Sequence, residues 1–349
     1  MAYTTIDKPT DYFNTVLYTG NGSSQTITGV GFQADFIWFK ERSSAGEHKL
    51  NNSVLGTNNY LISNSTSGDD TTGSGIQSYN SDGYAVSNAS NINDNTETYV
   101  TWNWLAGGSA SSNTDGDITS SVSANTTAGF SIVSYTGNGS AGATVGHGLG
   151  SAPAVMIFKI LNTADNWRVY HQGIDATAPE DYHAQLNSTG ARIDNAGFFN
   201  DTAPTSSVFT LGSDSGINGS SNTFIAYCFA EKKGYSKFGI YTGNGNADGT
   251  FVYTGFRPAW IMLKESTGTS DWSIYDNKRE TFNVADSTLE ANTSDAEAEV
   301  SGRPIDILSN GFKLRGTSSF TNESGKAYIY LAFAESPFVS SGGIPTTAR

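Results

Sequence analysis

Short apolar runs, separated by clusters of glycine, asparagine and serine, follow one another along the whole chain. The runs FIWF (36–39), VMIF (155–158) and WIML (260–263) are apolar without alternation, which predicts inner strands covered on both faces. The runs FIAYCF (224–229) and YIYLAF (328–333) mix large and small residues, as facing layers of a sandwich require. The pattern therefore predicts strands joined by turns.

The same pattern recurs three times. The pentapeptide YTGNG stands at 18–22, 135–139 and 241–245. Each copy precedes a related segment that ends on a lysine, namely GFQADFIWFK (31–40), GLGSAPAVMIFK (148–159) and GFRPAWIMLK (255–264). Because the similarity extends over about a hundred residues each time, it predicts three copies of one β-domain.

These repeats divide the chain. Repeat 1, with an N-terminal arm, spans 1–108, repeat 2 spans 130–235, and repeat 3, with a C-terminal tail, spans 236–349. The segment 109–129 is rich in Gly, Ser, Asn and Thr, which is typical of a linker. The fold class predicted is all-β, with three tandem antiparallel β-sandwich domains of lectin-like or jelly-roll type. The chain is expected to be a short rod, loosely jointed at the linker.

One segment also fits a helix. DSTLEANTSDAEAEV (286–300) has moderate helix propensity, but the corresponding segments YLISNSTSGDD and AQLNSTGARID are poor helix formers. A strand or loop is therefore favoured at this place in all three repeats.

The YTGNG motif fits a turn better than a phosphate-binding loop. A phosphate loop leads from a strand into a helix, whereas strand-like sequence follows each copy here. Asn-Gly pairs favour tight hairpin turns, so the sequence predicts structural turns at three pairs of residues: Asn21 and Gly22, Asn138 and Gly139, and Asn244 and Gly245.

Composition and charge narrow the partners. The formal net charge is −14 and no Lys/Arg run interrupts it, so the chain lacks the positive surface that nucleic-acid phosphates require, and no nucleic-acid partner is expected. No apolar run is long enough to insert into a membrane. The N-terminal segment MAYTTIDKPTDYFNTV lacks the pattern of a secretory signal peptide, which predicts synthesis in a cytoplasm. The single cysteine, Cys228, is expected to be a small core residue.

Candidate chemistry is sparse. Asn244, Asn246 and Asp248 have the alternate spacing of a calcium loop, but with one carboxylate a longer turn is favoured. In DAEAE (295–299), the carboxylates Asp295, Glu297 and Glu299 would share one face of a strand, as a glycosidase could use; a solvated acidic loop explains them equally well. The histidines have no metal-ligand spacing, so no metal and no cofactor is predicted.

A ring stands eight residues after each repeat's lysine, as His48, Trp167 or Trp272. Flat rings and planar polar groups bind sugars, while burial in the core is the more common role of such residues. The candidate glycan contacts in repeats 2 and 3 are Trp167, Tyr170, His171, Trp272, Tyr275 and Asp276.

Several long segments, among them MAYTTIDKPTDYFNTVLYTGNG, NTTAGFSIVSYTGNGSAGATVGHGLGSAPAVMIFK and IYLAFAESPF, together resemble a repeat family of marine tailed-bacteriophage structural proteins. The resemblance covers nearly the whole chain. It implies a virion protein of tail-fibre type, described as concanavalin A-like and lectin-like, and it implies no catalytic residues. Repeat 1 departs from the pattern at Ala34-Asp35 and His48, which suggests a separate task such as anchoring.

The function expected from these observations is that of a non-enzymatic bacteriophage structural protein, a tail fibre or tail appendage attached to the virion and assembled in the host cytoplasm. Its expected partners are other virion proteins and a host-surface glycan. The chain is also expected to form a homo-oligomer, which would be a trimer if the protein is a fibre. The alternatives are a capsid decoration protein or head fibre and, more weakly, a polysaccharide-degrading glycosidase on a jelly-roll fold.

Overall fold

The computed structural model of the chain describes residues 3–71, 73 and 75–346. The all-β class predicted from the sequence is confirmed, because the strands form open antiparallel sheets. The only helices in the described residues are one-turn segments, namely α1 (Ala196–Phe199), α2 (Ser215–Asn218) and two 3₁₀ turns at Pro9–Asp11 and Pro179–Asp181.

Repeat 1 contributes eight strands to two sheets. The strands are β1 (Phe13–Thr19), β2 (Gln25–Ile27), β3 (Phe36–Glu41), β4 (Lys49–Asn52), β5 (Leu61–Ile62), β6 (Ile76–Asn80), β7 (Gly83–Val86) and β8 (Thr98–Trp104). The large sheet has the order β1-β8-β3-β4-β5, and the small sheet has the order β2-β7-β6.

The middle of the chain repeats this plan with an extension. The strands are β9 (Ser111–Asn113), β10 (Ser120–Asn125), β11 (Phe130–Thr136), β12 (Thr144–Gly146), β13 (Val155–Ile160), β14 (Arg168–His171), β15 (Tyr182–His183), β16 (Ile193–Asp194), β17 (Val208–Thr210) and β18 (Thr223–Phe229). The large sheet has the order β14-β13-β18-β11-β10-β9, β12 pairs with β17, and β15 pairs with β16.

Repeat 3 follows the plan of repeat 1. Its strands are β19 (Ser236–Thr242), β20 (Phe251–Tyr253), β21 (Phe256–Glu265), β22 (Ser273–Asp276), β23 (Ser287–Glu290), β24 (Ala298–Glu299), β25 (Ile305–Leu308), β26 (Gly311–Leu314) and β27 (Ala327–Pro337). The large sheet has the order β19-β27-β21-β22-β23-β24, and the small sheet has the order β20-β26-β25.

The apolar runs lie where the pattern places inner strands. Each of β3, β13 and β21 is hydrogen-bonded on both sides, and nearly every residue of these strands is buried. The segment with helix propensity forms β23 and β24 instead. Here pairing with β22 overrides a weak local preference.

One apolar cluster lies between the two sheets of each repeat. In repeat 1, Ile37 and Phe39 of the large sheet meet Ile27 and Tyr84 of the small sheet. Repeats 2 and 3 have corresponding clusters. The large and small sheets therefore pack face to face in a sandwich-like arrangement.

A further cluster joins all three repeats through the other face of each large sheet. The corresponding rings Trp104, Phe229 and Phe333 contact one another, with centroid distances of 6.4 Å, 5.6 Å and 5.7 Å for the three pairs. The three large sheets therefore surround one central core. This corrects the expected jointed rod, since burial of these faces against each other removes far more apolar surface from water than separate domains would.

The segment 109–129 is also corrected. It was expected to be a linker because it is polar, but β10 pairs with β11 along five residues and β9 pairs with β10. Backbone hydrogen bonds to an existing sheet edge are available to a polar strand of any composition, since they do not depend on side chains. The segment thus extends the large sheet of repeat 2.

Candidate functional site

The three YTGNG segments adopt one arrangement, which differs from the expected hairpin. The strands on either side belong to different sheets, since β1 pairs with β8 and β2 with β7. The second glycine of each copy has positive φ, 65° at Gly22, 74° at Gly139 and 66° at Gly245. The preceding asparagines do not, which excludes the type I′ turn.

A buried asparagine holds each of these segments. We call Asn93, Asn218 and Asn322 the clamp asparagines; each is fully buried. Its side-chain oxygen accepts the N–H of the motif asparagine at 3.0 Å in all three repeats. The motif tyrosine donates its hydroxyl to the backbone carbonyl just before the clamp asparagine. The motif is therefore a structural device that fixes the connection between the two sheets.

Sequence reasoning missed the clamp asparagines. A signal was present, because each stands five residues before the last long strand of its repeat begins, at Thr98, Thr223 and Ala327. The first motif glycine is also explained by this contact. A Cβ on Gly20, Gly137 or Gly243 would approach a backbone oxygen beside the clamp to between 2.1 and 2.5 Å.

The lysines one residue before the end of each inner strand are buried, although lysine side chains usually keep their ammonium groups in water. Lys40, Lys159 and Lys264 are at most 1% exposed. Each donates to the carbonyl of the next residue and to one carbonyl of another repeat, at 3.3 Å to Ser294, 3.2 Å to Thr66 and 3.2 Å to Thr189, respectively. Burial lowers the pKa of each lysine to about 8.

The rings eight residues after the lysines form a second set of contacts between repeats. His48 contacts the carbonyl of Glu290 at 3.0 Å, while the indole N–H groups of Trp167 and Trp272 donate to Ile62 at 2.8 Å and Gln185 at 2.9 Å. Both sets run from repeat 1 to 3, from 3 to 2 and from 2 to 1. The contacts therefore close a ring of three repeats within one chain.

The candidate glycan contacts lie inside this ring and its sheets. At most 3% of the surface of any of the six is exposed, which applies to Trp167, Tyr170, His171, Trp272, Tyr275 and Asp276. Their apolar neighbours on both sides of the sheets bury the rings, so no sugar can stack on them without unfolding the site. These residues therefore belong to the core, the role that is more common for residues of these types.

The carboxylates of DAEAE do not gather into a catalytic pair. Glu297 bridges two repeats, with Arg42 at 2.7 Å and Arg279 at 2.8 Å. Burial opposes its ionisation, but hydrogen bonds and charge from Arg42 and Arg279 lower the pKa of Glu297 below its usual range. Asp295 and Glu299 are exposed. A glycosidase acid needs a raised pKa, so Glu297 is better suited to hold repeats 1 and 3 together.

The loop with calcium-like spacing forms consecutive turns. The side-chain oxygens of Asn244 and Asn246 each accept a backbone N–H two residues ahead. The carboxylate of Asp248 pairs with Lys313 at 2.5 Å. Cys228 is buried, as expected.

The outer faces of the small sheets differ among the repeats. The pairings of Ile27 with Tyr84, Val145 with Phe209 and Val252 with Phe312 align the three sheets. The outward positions flanking these residues hold Thr26 and Thr28 in repeat 1, Thr144 and Gly146 in repeat 2, and Phe251 and Tyr253 in repeat 3. We call Phe251 and Tyr253 the aromatic pair; they are 45% and 52% exposed.

Repeat 2 covers the same face with its own chain, since Gly146 is buried and the Asn113 side chain occupies the place where a Cβ of Gly146 would lie. Ile118 forms a bridge to Val145, and the carboxylate of Asp117 accepts the N–H and hydroxyl of Thr144 at 3.1 and 2.8 Å. The outer face is thus polar and open in repeat 1, covered in repeat 2, and aromatic and open in repeat 3. Only a comparison of registers between repeats reveals this difference.

A cleft of 580 Å³ adjoins the aromatic pair, and we call it the arm cleft because the N-terminal arm forms one wall. The Tyr3 hydroxyl donates to the carbonyl of Gly255 at 2.7 Å and lies 3.1 Å from the Tyr253 hydroxyl. Lys233 and Lys237 also line the cleft. The ammonium of Lys233 lies 4.4 Å from the centre of the Tyr3 ring.

The remaining charged group of the arm cleft is Glu231. Its carboxylate pairs with Lys237 at 3.0 Å and accepts hydrogen bonds from Gln172 and from the N–H of Phe238. Two lysines and one glutamate therefore line a cleft in a chain of net charge −14. The arm cleft has positive local charge and two phenol rings.

Within residues 3–71, 73 and 75–346, no group of three or more His, Cys, Asp or Glu side chains is placed to hold a metal ion. No helix in this part of the chain has the length and apolar character to span a membrane.

Comparison with known proteins gives a family without a described activity. No curated protein and no solved structure matches the chain significantly. The model of a family described as a domain of unknown function, DUF7483, matches residues 8–337, which include all three repeats. The chain therefore belongs to the DUF7483 family.

Proposed function

We propose that this protein is a non-enzymatic structural protein of a bacteriophage virion that attaches to a host-surface glycan through repeat 3. In this proposal the three repeats are copies of one lectin-like sandwich module. The resemblance of the sequence to phage structural proteins suggests the setting, and the aromatic pair suggests the binding repeat.

The single observation that carries the proposal is the difference among the three outer faces. Three modules with the same clamp and the same inner strands retain threonine, or threonine and glycine, at the outward positions of repeats 1 and 2. Repeat 3 has Phe251 and Tyr253 there, about half exposed. Exposed neighbouring rings cost solubility, so they mark interaction surfaces, and rings on a sheet face suit the C–H faces of sugars.

The closed ring supports a scaffold role. A buried lysine and a buried aromatic or imidazole side chain of each repeat contact a neighbouring repeat. These contacts fix the three outer faces relative to one another. In this proposal repeats 1 and 2 hold the particle, and repeat 3 meets the host. The expected homo-oligomer stays a prediction; light scattering tests it against the single-chain mass of 36.9 kDa.

A glycan array and a matched pair of double variants test the proposal. Replacing Phe251 and Tyr253 by threonine should reduce binding of any glycan ligand at least about fivefold, because each lost stacking contact contributes roughly 0.5–1.5 kcal/mol. Replacing Thr26 and Thr28 by alanine, at the corresponding positions of repeat 1, should leave binding unchanged. Equal binding by both variants would contradict the assignment to repeat 3.

Two further measurements separate the alternatives. Counting copies in purified virions distinguishes a tail protein, present in tens, from a capsid decoration protein, present in hundreds. Release of reducing ends from host polysaccharide would instead establish a glycosidase. Absence of the protein from virions would overturn the structural role itself.

A further inference from the structure

We infer that the arm cleft binds the carboxylate of an acidic sugar, so that the glycan recognised by repeat 3 contains uronic or sialic acid units. This inference rests on the proposed function and adds the ligand class. The arm cleft is continuous with the aromatic pair, because Tyr253 belongs to both.

The local charge of the arm cleft favours an anionic ligand. The molecule carries a net charge of −14, which repels anionic polymers at long range. The arm cleft opposes this charge with Lys233 and Lys237 against Glu231 alone. Glu231 is engaged by Lys237, Gln172 and the Phe238 N–H, so its negative charge is already compensated within the cleft.

The two lysines differ in their surroundings. Lys237 is paired with Glu231 and is 40% exposed. Lys233 is exposed and lies over the face of Tyr3 at 4.4 Å, an arrangement that positions an ammonium without neutralising it. Its three donors can therefore bind an incoming carboxylate. Lys233 is the principal anion contact in this assignment.

The shape of the cleft fits a sugar. Its 580 Å³ lies within the range of roughly 300–1,000 Å³ found for small-molecule sites. Tyr253 is 52% exposed and shares the exposed face of its strand with Phe251. A sugar unit stacked on Tyr253 would direct a carboxylate to Lys233 while its neighbours lie along the aromatic pair.

The N-terminal arm completes the cleft. The Thr4 hydroxyl donates to the carbonyl of Lys233 at 2.8 Å, and the Tyr3 hydroxyl bonds to Gly255. Gly255 has φ of 83°, and a Cβ there would lie 2.7 Å from the Tyr3 hydroxyl. The arm therefore ties the backbone of the segment carrying Lys233 to the turn after Tyr253.

Titration calorimetry of the full chain tests this inference with tri-galacturonate, an α2,8-linked sialic acid trimer and the neutral trisaccharide maltotriose. We expect one of the acidic trimers to bind and maltotriose not to bind. Lys233→Gln should weaken the acidic ligand at least about tenfold, and affinity should fall as salt rises. Lys278→Gln is the matched control, since Lys278 is exposed and follows β22, three strands from β19 in the same sheet.

The outcomes separate this inference from the proposed function. Binding of maltotriose, or acidic binding that Lys233→Gln leaves unchanged, overturns the acidic-sugar assignment. If neutral glycans on the array still depend on the aromatic pair, the proposed function survives that result. If neither acidic trimer binds, the inference is wrong. The presence of the protein in purified virions and its binding on the glycan array then decide the proposed function independently.

Discussion

At the scale of single residues, the clamp asparagines explain why one pentapeptide persists in three diverged repeats. The Asn218 side chain accepts backbone N–H groups from Asn138 and Gly139 and donates to the carbonyls of Ser140 and Gly212. One buried amide thus bonds to four backbone groups at this point, of which the Gly139 N–H also donates to the Asn218 carbonyl and the Ser140 carbonyl also accepts the Ala143 N–H. The requirement is geometric, so it constrains sequence without implying chemistry.

Asn218→Ala should lower the free energy of unfolding by about 3 kcal/mol, because it leaves buried donors and acceptors unsatisfied. Urea unfolding followed by circular dichroism measures this loss. Asn138→Ala is the control and should cost less than about 1 kcal/mol, since Asn138 is exposed. Similar losses for the two variants would contradict the clamp role.

His171 makes stability depend on pH. Its Nδ1 accepts the Gly173 N–H, so Nε2 carries the proton and lies 3.2 Å from the Tyr330 carbonyl of repeat 3. Burial lowers the pKa of His171 from 6.5 to about 4. Between these values the unfolded chain binds the proton and the folded chain does not, so stability falls as pH falls through this range.

His171→Asn should therefore reduce the loss of stability between pH 6.5 and pH 4 by up to about 3 kcal/mol. Asparagine is chosen because Asn52 occupies the corresponding end of β4 in repeat 1 and donates to Tyr227 of repeat 2. Unfolding curves at several pH values measure the slope. Parallel slopes for the two proteins would show that His171 does not titrate on unfolding.

At the scale of elements, the residues after the inner strands are buried and join neighbouring repeats. Trp272, just before β22, is fully buried and donates its indole N–H to Gln185 of repeat 2. The register of β21 with β22 and β27 places this ring toward the central core. The hydrophobic pattern of β22 is compatible with exposure of either of its faces. The sequence therefore did not determine whether the Trp272 side chain points to the core or to solvent.

Trp272→Ala should cost about 3–5 kcal/mol of stability, because it opens a large cavity and orphans a carbonyl. Trp272→Phe, which keeps most of the ring volume, should cost less. Thermal unfolding measures both variants. A loss of glycan affinity at unchanged stability would contradict this account and favour a binding role for the ring.

At the scale of the whole molecule, the closed arrangement of three repeats means that deleting one repeat exposes the core of the other two. Removing repeat 1 would expose the faces of repeats 2 and 3 that contact Trp104 and Phe36, including Phe229, Tyr227 and Phe333. Deleting 1–108 is therefore a poor test of anchoring, since it disrupts the core of the remaining repeats. Surface substitutions on the outer faces are the appropriate probes.

The full chain should unfold in one cooperative transition, because the three large sheets share a core and unfolding one repeat would expose the apolar faces of the other two. Tryptophan fluorescence reports the central core, where Trp38, Trp102, Trp104, Trp167, Trp260 and Trp272 lie, and far-ultraviolet circular dichroism reports all strands. The two urea transitions should coincide. Separated transitions would show that the repeats unfold independently and that the shared core contributes little.

The sequence by itself determined the all-β class, the inner strands and the presence of three related segments. These features depend on local pattern: uninterrupted apolar runs specify strands covered twice, and long similarity specifies repeated backbone. The clamp asparagines could have been found by their constant spacing before the last strand. The burial of Trp167, Trp272 and the three lysines could not, because it depends on neighbours in another repeat, between 75 and 254 residues away along the chain.

Tertiary structure alone decided how the three units meet. The closed arrangement of three repeats buries the face of each large sheet that points away from its small sheet. Aromatic side chains that could have bound sugar therefore lie in the core. Tertiary structure also gives the polar segment 109–129 a sheet edge to join, where its backbone hydrogen bonds are satisfied whatever its side chains. The outward face that remains for binding, with Phe251, Tyr253 and Lys233, is defined by register and by the path of the N-terminal arm.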